Sequence, residues 1–101
     1  MTKDADKLLC CIYKIYLERR KSGMSKSDSK EFQDDFYKSD NHLSSWSDDD
    51  ISDTLEELKK NNHVRLFIDG SFTLENNAII YMENRFKNGL TEVLEILSKA
   101  F

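Results

Sequence analysis

Apolar side chains recur between residues 4 and 21 at Leu8, Leu9, Ile12, Ile15 and Tyr16, with Lys7, Lys14, Glu18 and Arg19 among the polar positions. That stripe predicts an amphipathic helix. Its last turn, Arg19-Arg20-Lys21, is basic, and Gly23 follows as a stop signal. Ser25 to Ser29 reads as a polar connector. A weaker helix is predicted from about Ser29 to Tyr37, with Phe32 and Phe36 one turn apart on its buried side. Ser39 to Ser45 is then a loop into which Leu43 tucks inward.

The third helix has the clearest start. Ser47 suits the N-cap, Asp50 three residues on suits a capping box, and Trp46 with Ile51 suits a hydrophobic staple. Ile51, Leu55 and Leu58 line one face, and Lys59-Lys60-Asn61-Asn62 closes the helix. A hairpin follows, in which Val64, Leu66 and Ile68 alternate with His63, Arg65 and Phe67. Asp69-Gly70 supplies a two-residue turn, and Phe72 and Leu74 return on the partner strand. From Asn77 onward Ile79, Met82, Phe86, Leu90, Val93, Leu97 and Phe101 recur at helical spacing. Gly89 interrupts that stripe, so one bent helix or two abutting helices fit it equally.

The predicted order is helix, helix, capped helix, two-stranded hairpin, helix. This describes a mostly α, α+β winged helix-turn-helix with a two-stranded wing and an extended C-terminal helix. At 101 residues the chain is expected to form one domain, with helices 1–3 and the wing in residues 1–75 and the C-terminal helical segment in 76–101.

The chain also resembles the small YjcQ-type winged-helix proteins of Gram-positive bacteria and their phages. Three stretches carry the likeness: Asp6-Lys7-Leu8-Leu9, Ile51 to His63, and Phe72-Thr73-Leu74 leading into Ile80-Tyr81-Met82-Glu83-Asn84. The sequence departs from that pattern at Asn76-Asn77-Ala78, where lysine and glycine are usual, and the segment between helices two and three is longer. The resemblance implies a winged-helix fold. The first functional expectation is a small regulatory or accessory protein of phage or mobile-element type that acts by protein contact, through the acidic face of the third helix or the C-terminal stripe Leu90, Val93, Leu94, Leu97 and Phe101.

Composition adds a heavily charged exterior, with 39% hydrophobic and 34% charged residues. No stretch approaches the roughly 20 apolar residues needed to span a bilayer. Leu8 to Tyr16 contains Lys14 and follows two acids, which does not suit a secretory signal. Cytoplasmic placement without a membrane partner is expected. Cys10 and Cys11 are adjacent, so in a helix they point about 100° apart and read as two buried thiols. There is no glycine-rich phosphate loop, CxxC pair or HExxH motif, and His42 and His63 are isolated, His63 reading as a strand-edge residue. Neither enzymatic activity nor a metal or cofactor is expected.

Charge decides the candidate function. Net charge is −4, yet Glu31 to Glu57 holds ten acids and one base, leaving the rest of the chain at +5. In DNA-binding winged helices the third helix enters the major groove. Here that helix turns Asp49, Asp53, Glu56 and Lys60 outward, flanked by Asp50 and Glu57. A carboxylate some 7 Å from a phosphate is repelled by about 1 to 2 kcal/mol before screening. The helix dipole accounts for acids in the first turn, but not for Asp53 or Glu56 beyond it. An ordinary solvated face and a protein-binding acidic face (Asp49, Asp50, Asp53, Glu56, Glu57) both fit better than a DNA-reading helix.

A second expectation is a dimeric DNA-binding regulator. It would use Arg19, Arg20, Lys21 and Lys26 near the connector and Arg65 on the wing, and pair through Leu90, Val93, Leu94, Leu97 and Phe101. That apolar stripe also suits plain packing against the first helix.

Overall fold

The computed structural model describes all 101 residues and is an α+β fold, mostly helical. Helix α1 (Lys3–Lys21) is capped by the Thr2 side chain, which accepts from Ala5 N–H. It ends in a Schellman motif, Met24 N–H bonding to Arg19 C=O and Gly23 N–H to Arg20 C=O. From Leu8 to Lys14 every residue of α1 is buried, because α3, α4 and α5 pack around it. Lys14, expected on the polar side, is therefore inside. Its Nζ lies 2.5 Å from Asp40 Oδ2, and the other Asp40 oxygen accepts from His42 N–H at 2.8 Å. A buried ammonium needs such a partner.

The expected connector and second helix are both replaced. Ser25 caps a single turn, α2 (Lys26–Ser29), and the chain then enters strand β1 (Glu31–Phe32). Phe36 to Ser39 follows as a 3-10 turn. Phe32 and Phe36 are both buried, but not as one helix face. Phe32 stands opposite Phe72 on the neighbouring strand, with ring centroids 4.9 Å apart and planes 3° from parallel. Phe36 meets both rings edge-on. Cross-strand aromatic pairing of this kind outweighs the weak helical preference of a serine- and aspartate-rich segment. Leu43, in the loop beyond, is fully buried as expected.

Helix α3 (Asp48–Lys60) starts where the sequence predicts, with Ser47 Oγ accepting from Asp50 N–H at 3.1 Å. Its end is a second Schellman motif, in which Asn62 adopts φ 62° and His63 N–H reaches Leu58 C=O. Strands β2 (Val64–Leu66) and β3 (Phe72–Leu74) form the hairpin. With β1 they make a three-stranded antiparallel sheet of order β1-β3-β2, one strand more than expected.

The hairpin turn sits one residue earlier than Asp69-Gly70. Gly70 N–H bonds to Phe67 C=O at 3.0 Å, which places Ile68 and Asp69 at the turn centre and Gly70 just after it at φ 88°. A tight two-residue turn would need positive φ at Asp69 as well, so a turn with a glycine bulge replaces it. Ile68 consequently leaves the core face and stands fully exposed at the tip.

Residues after the sheet form two helices, α4 (Asn76–Arg85) and α5 (Leu90–Lys99). Gly89, at φ 67° and ψ −133°, makes the break. Arg85 grips Asp6 of α1 with both guanidinium nitrogens. No helix is long and apolar enough to cross a membrane.

Candidate functional site

A groove of about 600 Å³ lies between α3, the hairpin tip and the segment after β1. Each wall follows from local sequence. The Ser47 cap starts α3 so that Ile51, Leu55 and Leu58 face inward. That registration turns Asp48, Asp49, Ser52, Glu56 and Lys59 toward the groove. The hairpin adds Leu66, Phe67, Ile68, Asp69 and Gly70, held by Asp69, whose carboxylate accepts from both Ser71 N–H and Ser71 Oγ. The third wall is Asp34, Asp35, Tyr37 and Lys38. Gly70 brings this wall and the hairpin together, because a Cβ built there would lie 3.1 Å from Asp34 Cβ.

Six acids and two lysines line the groove, around an apolar set that includes the exposed side chains of Phe67 and Ile68. One acid is engaged internally, since the Tyr37 hydroxyl donates to Asp48. That bond, first among several causes, pushes the tyrosine up to about 12. Glu56 lies 3.9 Å from Lys59, an exposed pair of little strength. Asp49 makes no side-chain hydrogen bond or ion pair.

The expected acidic face is divided. Asp49 and Glu56 border the groove; Asp53 is exposed on the same outward stripe, outside it; Asp50 is exposed in the first turn. Glu57 is occupied: its carboxylate accepts from Thr2 N–H at 2.8 Å and Thr2 Oγ at 2.7 Å, which holds it below the usual carboxylate range. It joins the end of α3 to the cap of α1. Asp34, Asp35 and Asp69 reach the site unforeseen. Asp69 was visible as part of the turn signal, but nothing local brings Asp34 and Asp35 beside it.

The basic residues do not form one patch. Arg19 is structural, its guanidinium 4.3 Å from the centre of the Phe32 ring and donating to Ser29 C=O and Glu31 C=O. Arg20 donates to Met24 C=O. Lys21 and Lys26 are exposed near the connector, whereas Arg65 is on β2, separated from the connector by β3 and β1. Arg65, Thr73 and Glu31 form one row across the sheet, and Thr73 donates to the Glu31 carboxylate.

The C-terminal stripe is largely inward. Val93 and Leu97 are buried in the core shared with α1, and Phe101 packs against it, so a seam through all five residues would have to open the domain. Only Leu94 is markedly exposed.

His63 is half-buried and stacked on Tyr81, with ring centroids 5.6 Å apart. Cys10 and Cys11 are buried, and desolvation pushes both thiols up to about 12. No three histidine, cysteine or carboxylate side chains converge as a metal site. No protein-family model, curated protein or solved structure matches the chain.

Proposed function

We propose that this chain is a winged-helix protein acting by protein contact, with the groove between α3 and the wing receiving a basic surface of its partner. The fold reading is supported by the sheet order β1-β3-β2 and by the capped α3 leading directly into the β2–β3 hairpin. A regulatory or accessory role of phage or mobile-element type is in keeping with its resemblance to small phage-type winged helices.

One observation carries the function. The helix that a DNA reader would insert is walled on its outer side by carboxylates, and the groove beside it holds six acids against two lysines. Phosphodiester backbones are repelled by such a surface, while lysine- and arginine-rich protein surfaces are drawn to it. A nucleic-acid-binding groove on another protein has that chemistry.

The alternative, DNA contact through the wing and connector, rests on the exposure of Arg65, Lys21 and Lys26. It is weakened by the internal engagement of Arg19 and Arg20. Fluorescence anisotropy against duplex DNA separates the two readings. The expected result is no complex at physiological salt, together with capture of a basic protein that is lost on Asp49→Lys with Glu56→Lys. Tight, sequence-selective DNA complexes that disappear when α3 is altered would overturn the proposal.

A further inference from the structure

The charge of this chain is divided between opposite ends of one sheet. Strand β1 is entered from the connector at Lys30, whose C=O accepts Leu74 N–H at 2.8 Å. It leaves past Phe32 toward Asp34, which lies against Gly70 of the hairpin turn. The groove and the connector therefore lie at the two ends of the short strand β1.

The connector carries the charge opposite to that of the groove. Residues 19–30 hold five bases and one acid, Asp28. Arg19 and Arg20 both donate to backbone carbonyls, leaving Lys21 and Lys26 free and exposed. Between them Met24 is exposed at the apex, its backbone fixed by the Schellman bonds that end α1. At the groove, Asp34, Asp35, Asp49, Glu56 and Asp69 face solvent beside the exposed Phe67 and Ile68. A basic knob with an apolar apex thus matches an acidic groove with an apolar lip.

We infer that a second copy of this chain docks its Arg20–Lys26 connector in the groove, with Met24 against Phe67 and Ile68 and the bases against the carboxylates. The inference rests on reading the groove as a protein-binding site and names its occupant. Because knob and groove are different surfaces, the contact is heterologous. Each copy added leaves one knob and one groove free, so assembly grows head to tail or closes into a ring. Exposed ion pairs are individually weak and screened by salt, so association belongs to high concentration and low ionic strength.

Sedimentation velocity tests this, from about 10 to 500 µM protein in about 20 mM and about 300 mM sodium chloride, chosen to shorten the Debye length several-fold. The expected result is a low-salt mass that rises with concentration to at least about twice the 11.9 kDa monomer and returns to monomer at high salt. Lys21→Glu with Lys26→Glu, or Asp49→Lys with Glu56→Lys, should each abolish association. Mixed together, these two variants should recover association, the first supplying a wild-type groove and the second a wild-type knob. All four positions are exposed, and circular dichroism checks folding.

A wild-type chain that stays monomeric at low salt overturns the inference. So does association that ignores salt, survives either charge reversal or is not recovered by mixing. A monomeric chain that still captures a basic protein through Asp49 and Glu56 sinks only the self-docking, whereas DNA binding through α3 sinks the groove reading beneath it.

Discussion

The Lys14–Asp40 pair ties the loop after the 3-10 turn to the centre of α1, with side chains only 10% and 3% exposed. Replacing Lys14 with Met leaves the Asp40 carboxylate buried without a counter-charge. Asp40→Asn leaves the ammonium unpaired while keeping an acceptor for His42 N–H. Breaking a buried pair from one side costs about 3–5 kcal/mol. Domains of this size are stable by only about 5–15 kcal/mol, so either change removes a large fraction of the total. At about 4–8 °C per kcal/mol, each variant should melt at least about 12 °C below the wild type. Removing both charges, as in Lys14→Met with Asp40→Leu, should recover most of the loss, because well-packed apolar side chains replace such pairs at little cost. The orphaned His42 N–H then accounts for a deficit of about 1 kcal/mol. Urea unfolding followed by circular dichroism, run as a double-mutant cycle, measures the coupling. Single variants that each lose less than about 1 kcal/mol, or a double variant as unstable as the two losses added, would refute the reasoning.

Gly70→Ala should cost about 1–3 kcal/mol, since the residue sits at φ 88° and the new methyl meets Asp34 Cβ at 3.1 Å; the urea midpoint reports it. Both cysteines should resist Ellman's reagent in the native protein and react fully in denaturant, because burial holds their thiols near 12. Burial also holds His63 below its usual value of 6.5. Its neutral form is the folded one, so its contribution is complete above about pH 6.5 and is lost as pH falls through the lowered folded value. Comparing His63→Gln with wild type between about pH 7 and pH 5 should show a shallower decline in the variant.

Much of the fold was legible because its signals are local. The Ser47 cap, the stripe of Ile51, Leu55 and Leu58, and the alternation around Val64 and Phe72 each sit within a few residues of the structure they specify. Strand β1 was hidden because Phe32 and Phe36, four apart, imitate a helix face; only the register against Phe72 shows otherwise. Lys14 was misplaced for a similar reason. A stripe assumes one buried side, whereas α1 is enclosed all round at its middle. Of the groove's acids, Asp49 and Glu56 could be named in advance from α3 alone. Asp34 and Asp35 could not, since their approach to the hairpin depends on a sheet order that no short window of sequence encodes.

The enclosure of α1 has a thermodynamic corollary. A helix shared by α3, α4 and α5 leaves none of its neighbours free to peel away without wetting residues common to all of them. Partial melting is therefore unfavourable, and the domain should open as one cooperative unit. Backbone amides from Leu8 to Tyr13 should exchange with deuterium only when the whole molecule unfolds, at the same free energy as denaturant unfolding.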